Sequence, residues 1–204
     1  MEDAEGQLDV AGSVGAALSP HPAVRELRLV GSRAEGRAHR LSDWDFAVET
    51  DDFDLVARDL PALVATLRPL AEQWDRYSSY PCYMLILRGP VKVDLLFLGE
   101  PWESPGTWNP TAETLEALDR HFWDWILWLE QKRRGHSDEI LAKGLGQMHE
   151  LLLEPMGVAR GPVSVPDAVD AYVDARSELE RRFGVSVPRE LEREVRPVVA
   201  PKPS

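Results

Sequence analysis

Between residues 24 and 49, two extended apolar runs are joined by a Gly-Ser turn and a polar loop, and carboxylates two positions apart, Asp43 and Asp45, mark the start of the second run. Side chains at i and i+2 of a strand leave the same face, so an extended segment from Trp44 to Glu49 sets this pair side by side. The alternation puts Trp44, Phe46 and Val48 on one face and Asp43, Asp45 and Ala47 on the other. Two unit charges about 4 Å apart repel by about 1 kcal/mol in water and about 4 kcal/mol at an effective dielectric of about 20. A fold keeps such a pair only with a compensating cation.

The first run, Val24 to Val30 (V-R-E-L-R-L-V), grows more apolar toward Gly31 and reads as a strand; a helical turn follows from Ser32 to Gly36. Upstream, a tail over residues 1–6 precedes a short helix from Leu8 to Leu18 that stops before Ser19-Pro20 and Pro22. Downstream, an amphipathic helix is predicted from Asp51 to Leu70, with Leu55, Val56, Leu60, Leu63, Val64 and Leu67 inward and Pro61 kinking or dividing it. Asp51-Asp52 reads as its N-terminal cap. Strands are predicted over Gln73 to Ser79, Tyr83 to Arg88 and, beyond the Gly89-Pro90 turn, Val91 to Leu98.

Gly99 to Pro110 is a proline-broken loop between a strand-rich first half and a helical second half. Helices are predicted over Thr111 to Arg134, Ser137 to Met156, Pro166 to Phe183 and Pro188 to Val195. Trp123, Trp125 and Trp128 are expected to pack the helical core. The fold class is therefore α+β, a small mixed β-sheet core flanked by helices and followed by a C-terminal helical bundle. The domains are expected at 1–100 and 111–196, with a flexible tail at 197–204.

Composition excludes several roles. A formal charge of −12 argues against a generic nucleic-acid binder, which needs a basic footprint, while a cationic small molecule is attracted. The single cysteine, Cys82, allows neither an internal disulfide nor a thiolate zinc site and reads as a buried small hydrophobe. The five histidines lack metal-ligand spacing, which disfavours a zinc hydrolase. Neither a signal-peptide pattern nor a membrane-spanning apolar run is visible, so a cytoplasmic protein without a membrane partner is expected.

Asp94 interrupts an otherwise apolar strand, V-K-V-D-L-L-F-L. If that strand neighbours the Asp43-Asp45 strand, its carboxylate completes a cluster of three. Oxygen-only donors favour Mg²⁺ or Mn²⁺ over zinc. Two such ions activate an attacking hydroxyl and steady a leaving oxygen in phosphoryl displacement. At Gly31 a phosphate can approach the backbone closely, and the amides at a helix start and the Ser32 hydroxyl would face the anion.

The order of these features, strand, Gly-Ser, about ten residues, Asp-x-Asp with Ser42 before it, then a later isolated Asp, resembles the DNA polymerase beta-like nucleotidyltransferase superfamily. The resemblance covers residues 24–98, and the helices beyond 110 are similar in layout to the second domain of small aminoglycoside and lincosamide nucleotidyltransferases. It implies a nucleotidyltransferase core at 1–100 and a helical substrate-binding domain at 111–196. It further implies that Gly31 and Ser32 hold the triphosphate of ATP or another NTP, that Asp43, Asp45 and Asp94 bind Mg²⁺ or Mn²⁺, and that Asp94 or a helical-domain residue such as Glu130 is the general base. Arg33, Arg40, Ser42 and Lys143 are candidate phosphate or nucleotide contacts, Lys92 shares a face with Asp94 and is a candidate either to neutralise it or to touch phosphate, and Trp102 and Trp108 are a candidate movable wall. The implied reaction moves AMP from ATP to a hydroxyl of a small acceptor and releases pyrophosphate, with no nucleic acid expected. Two rivals stay open: an antitoxin-like nucleotidyltransferase that binds or adenylates a helical toxin protein, and a catalytically idle nucleotide sensor.

Overall fold

The computed structural model describes residues 9–199, which form parts of two compact units, Met1–Ser104 and Pro105–Ser204. The expected N-terminal tail, the first residue of the first helix (Leu8) and residues 200–204 of the expected C-terminal tail lie outside the described residues.

The first unit runs α1 (Val10–Leu18), β1 (Val24–Val30), α2 (Gly31–Ala34), β2 (Trp44–Thr50), α3 (Phe53–Val64) with a 3-10 turn (Ala65–Leu67), β3 (Ala71–Trp74), β4 (Cys82–Leu87) and β5 (Val91–Leu96). The five strands form one mixed sheet in the order β1-β2-β5-β4-β3. Only the β2-β5 pair is parallel; the other neighbours are antiparallel.

Period-two patterning explains the sheet. Phe46 and Val48 of β2, Val93 and Leu95 of β5, and Tyr83, Leu85 and Leu87 of β4 share one buried core with Val10, Val14 and Leu18 of α1 and Val56, Leu60 and Val64 of α3. Each such side chain contributes about 1.5–3 kcal/mol on full burial, so this face fixes strand register. The opposite face is left to Asp45, Ala47, Lys92 and Asp94.

The boundaries that differ from expectation have local causes. The helix predicted from Asp51 begins at Phe53, because the Asp52 carboxylate caps it by accepting from the Leu55 amide at 3.0 Å. It continues through Pro61 undivided and ends in the 3-10 turn, after which Arg68 adopts a left-handed φ of 50°. The strand predicted over Gln73 to Ser79 is shorter and earlier, Ala71–Trp74, because Asp75 Oδ1 accepts from the Tyr77 amide at 2.8 Å and turns the chain. The last strand ends at Leu96, not Leu98.

The second unit is helical: α4 (Leu115–Arg134), α5 (Asp138–Met148) running into a π-helical turn (His149–Leu153), α6 (Val165–Phe183), α7 (Glu190–Val195) and a 3-10 turn (Arg196–Val198) that buries Val198. Residues Thr111 to Thr114 precede α4 rather than opening it, since the Thr111 amide donates to Thr114 Oγ1 at 2.9 Å in a local turn. Helix α6 is well punctuated: Ser164 Oγ accepts from the Asp167 amide, Asp167 Oδ2 accepts from the Val163 amide, and Gly184 closes the far end at φ 68°.

Trp123 is fully buried, as expected, whereas Trp125 and Trp128 are half-buried. Around it lies a polar network that the sequence did not reveal. Asp119 Oδ1 accepts from Trp123 Nε1 (3.1 Å), Tyr172 Oη (2.6 Å) and Arg176 Nη1 (2.8 Å), and Arg176 also pairs with Glu192. Among the described residues, no helix is long and apolar enough to cross a membrane.

Candidate active site

Asp45 and Asp94 are direct register partners on the parallel strands β2 and β5. Partners in a ladder share a face, so the pairing brings together two carboxylates far apart in sequence; Asp43, two positions before Asp45, joins them. One carboxylate oxygen from each of the three lies within 4.8 Å of the others. Asp43 and Asp94 are buried and Asp45 is half-buried. Lys92, on the same face of β5 as Asp94, donates from Nζ to Asp94 Oδ1 at 2.5 Å.

This donor set suits a hard divalent cation. All three candidate ligands are carboxylate oxygens, and Lys92 is bonded to the one from Asp94.

Gly31 is required on two counts. Its φ is +68°, and a Cβ there would lie 2.5 Å from Asp45 Oδ2. The backbone turn is thus pressed against a carboxylate of the cluster. Ser32 follows, half-buried, in the first turn of α2, whose opening amides have no carbonyl partner within the helix. Gly31→Ala is expected to cost about 1–3 kcal/mol of stability and, by shifting Asp45, to lower turnover by about 100-fold. Urea unfolding and Mg²⁺-dependent turnover check it.

The remaining candidates divide. Arg33 is a clamp rather than an open phosphate contact: Nε donates to the carbonyls of Ser42 (3.1 Å) and Asp43 (3.0 Å), Nη2 donates to that of Ser42 (2.6 Å), and the guanidinium stacks 4.1 Å from the Trp44 ring centroid. Burial lowers its pKa, against the raising charges of Asp43 and Asp45. Ser42 is likewise structural, its Oγ accepting from the His39 amide at 2.9 Å. Arg40 is exposed on the same loop, and Lys143 is exposed on α5 in the second unit.

Glu130, the candidate base of the helical half, is fully buried and accepts from Arg133 Nε (2.7 Å) and Nη2 (2.6 Å) and from Arg134 Nε (2.8 Å). Trp102 and Trp108 are packed rather than loose. Trp102 lies 5.5 Å from the Trp74 ring within an aromatic cluster that includes Phe53 and Phe97, and Trp108 is buried edge-on to His121.

Tyr80 escaped the sequence reading. Burial raises its phenol above the usual range, and Cys82, Asp94, Asp45 and Asp75 add to the effect, which puts it within electrostatic reach of the carboxylates. The available signal was its position just before β4, whose Met84 pairs with Asp94.

Residues 15–75 match the family model of the nucleotidyltransferase domain, a segment that holds Gly31, Ser32, Asp43 and Asp45 but not Asp94. The chain resembles the nucleotidyltransferase superfamily. The match and the acidic cluster together support an enzyme of the nucleotidyltransferase class, acting by nucleotidyl transfer in general.

No curated protein matches the chain. Among solved structures it overlaps one described as the GLD-2/RNP-8 complex, at 17% identity and TM-score 0.33, over 59% of this chain and 37% of that one. It also overlaps an aminoglycoside 6-adenyltransferase from Bacillus subtilis (8% identity, TM-score 0.32, 92% of this chain and 95% of that one). A third is the polymerase core of TRAMP, a RNA surveillance complex (14% identity, TM-score 0.38, 86% of this chain and 56% of that one). At these scores the overlaps carry no argument about the acceptor of this nucleotidyltransferase-like chain.

Proposed function

We propose that this protein transfers a nucleoside monophosphate, AMP from ATP, to a hydroxyl group of a small basic molecule of the aminoglycoside kind and releases pyrophosphate. The observation that carries the reading is the Asp45-Asp94 register pair with Asp43 beside it, the three ligand oxygens within 4.8 Å. The charge of −12 supports a cationic acceptor over a polyanionic one. The reading assigns catalysis to the first unit and acceptor recognition to the helical one, in a compartment that supplies ATP, the cytoplasm.

In this scheme Asp43, Asp45 and Asp94 hold Mg²⁺ or Mn²⁺, which when bound neutralises charge on the phosphates and on the attacking and leaving oxygens. The amides after Gly31 and the Ser32 hydroxyl hold the triphosphate. The acceptor oxygen forms a bond to the α-phosphorus as the α-β bridging bond breaks. Its proton goes to a carboxylate on this face. Asp94 is the candidate, through the oxygen that Lys92 does not hold, because Glu130 is already neutralised by Arg133 and Arg134.

Pyrophosphate release is the test, with ATP and GTP against aminoglycosides, lincosamides, sugars and a short oligoribonucleotide, followed by mass spectrometry of acceptor and protein. An adenylyl mass on a small basic acceptor is the expected result. Addition to the oligoribonucleotide or to a co-purifying protein would move the assignment to another acceptor class, and no acceptor-dependent release would end it.

A further inference from the structure

Tyr80 stands just outside β4, and the ladder fixes which way it faces. Cys82 pairs with Leu96 and Met84 with Asp94, so Cys82, Met84 and the carboxylate of Asp94 share one face of the sheet. The alignment persists one residue before β4, since the Phe97 amide donates to the Pro81 carbonyl at 3.0 Å. Phe97 and Tyr83 belong to the apolar core on the other face. Alternation from Pro81 therefore turns Tyr80 to the side of Cys82, Met84 and Asp94.

The phenol answers to that placement. Burial is the first cause that raises its pKa above the ordinary range, and Cys82, Asp94, Asp45 and Asp75 add to it, two of them being the register pair of the carboxylate cluster. Tyr80 is half-buried, and its amide donates to Ser78 Oγ at 3.4 Å. The neighbouring hydroxyl residues are placed differently: Ser78 accepts in that turn, the Tyr77 amide is tied to Asp75, and Tyr83 faces the core.

The chemistry proposed above joins a hydroxyl oxygen to an α-phosphorus held at this face. A hydroxyl carried by the same chain does not have to be captured from solution, which removes the entropic cost of a second encounter. Tyr80 carries such a hydroxyl, and Pro81 stiffens the backbone that presents it.

We propose that Tyr80 is a site of self-nucleotidylation, taking AMP from ATP within its own chain. The proposal rests on the nucleotidyl-transfer reading given above. In the step, Tyr80 Oη forms a bond to the α-phosphorus, the α-β bridging bond breaks, and pyrophosphate leaves with the bonding pair. The phenol is protonated at neutral pH, so its proton passes to a carboxylate of the face as the bond forms. The product is a tyrosyl-AMP diester at the edge of the site.

The experiment incubates the full chain with MgCl₂ and ATP radiolabelled at the α-phosphate, without acceptor. The protein is read by intact mass and by fragmentation of the tryptic peptide from Tyr77 to Arg88. Wild type should gain a single adenylyl group, on Tyr80, at a rate independent of protein concentration. Tyr80→Phe and Asp45→Asn should each lose the label, while Tyr77→Phe keeps it. Label on Tyr77, Ser78, Ser79 or Tyr83 instead, label that persists in Asp45→Asn, or a rate that rises with protein concentration would overturn the proposal. Should Tyr80→Phe fail to fold, the fragment masses of the wild-type peptide decide alone. Pyrophosphate release with the acceptor panel separates the two layers. A wild-type protein that adenylates an acceptor and leaves Tyr80 bare sinks this inference and spares the transfer reading; one that does neither sinks both.

Discussion

Asp45→Asn is expected to lower Mg²⁺-dependent nucleotidyl transfer by about a thousandfold or more and to leave the protein folded. Asp45 contributes a ligand oxygen to the cluster and faces Asp94 across the parallel pair, so its loss disturbs metal coordination where charge develops. A bound metal supplies several kcal/mol of transition-state stabilisation, and each 1.36 kcal/mol is about tenfold in rate. Asparagine keeps the side-chain shape and removes one of three crowded negative charges. Thermal unfolding in EDTA should therefore occur at or above the wild-type temperature, and the rise on adding Mg²⁺ should shrink. Pyrophosphate release and circular dichroism melts with and without Mg²⁺ read both outcomes. Undiminished turnover in a folded variant would remove Asp45 from the site.

The second large effect is on stability. Arg176→Met is expected to cost about 3–5 kcal/mol, as breaking a buried ion pair from one side does. Arg176 is 1% exposed and bonded to Asp119 and Glu192, and Asp119 is 2% exposed. Burial already raises the Asp119 carboxyl above its ordinary range, against the bonds from Tyr172, Arg176 and Trp123 that favour its charged form. For Arg176, burial works to lower the pKa, and the bonds to Glu192 and Asp119 and the neighbouring Tyr172 outweigh it and raise it. Removing the guanidinium strands the Asp119 charge among Phe122, Trp123 and Tyr172. Equilibrium urea unfolding gives the loss directly. A further Asp119→Asn change should recover part of it, because the stranded charge is then gone; a loss below about 1 kcal/mol would show that the network is not a stability element.

The sheet and the acidic cluster were legible in the sequence because both follow from alternation. Once Trp44, Phe46 and Val48 face a core, Asp43 and Asp45 must face away from it, and the lone Asp94 in V-K-V-D-L-L-F-L can come to the same face only beside them. The helical network was not legible. Asp119, Tyr172, Arg176 and Glu192 are spread over more than seventy residues, and each looks like ordinary surface polarity on an amphipathic helix until the helices pack. Side chains that turn the chain locally were missed for the reverse reason. Asp75 and Thr114 act through hydrogen bonds to nearby amides, which leave no periodic trace. The burial of Glu130 was not legible either, because nothing in its one-dimensional surroundings tells a buried carboxylate held by Arg133 and Arg134 from an exposed one.

Arg33 carries one more consequence. By bonding the carbonyls of Ser42 and Asp43 and stacking on Trp44, it staples the Gly31 turn directly to the start of β2. The chain between these anchor points, 34–40, is exposed throughout and bridges a junction that is already closed. Its length is thus uncoupled from the separation of the turn and the carboxylates, and doubling such a loop adds only about 0.6 kcal/mol of closure entropy. An inserted peptide or reporter between Ala34 and Ala38 would hang from the molecule without moving Asp43 or Asp45. The spacing of about ten residues between Gly-Ser and Asp-x-Asp is then a convenience of chain length, and the geometry belongs to the β1-β2 ladder, where Val30 pairs with Asp45, and to the arginine that reinforces it.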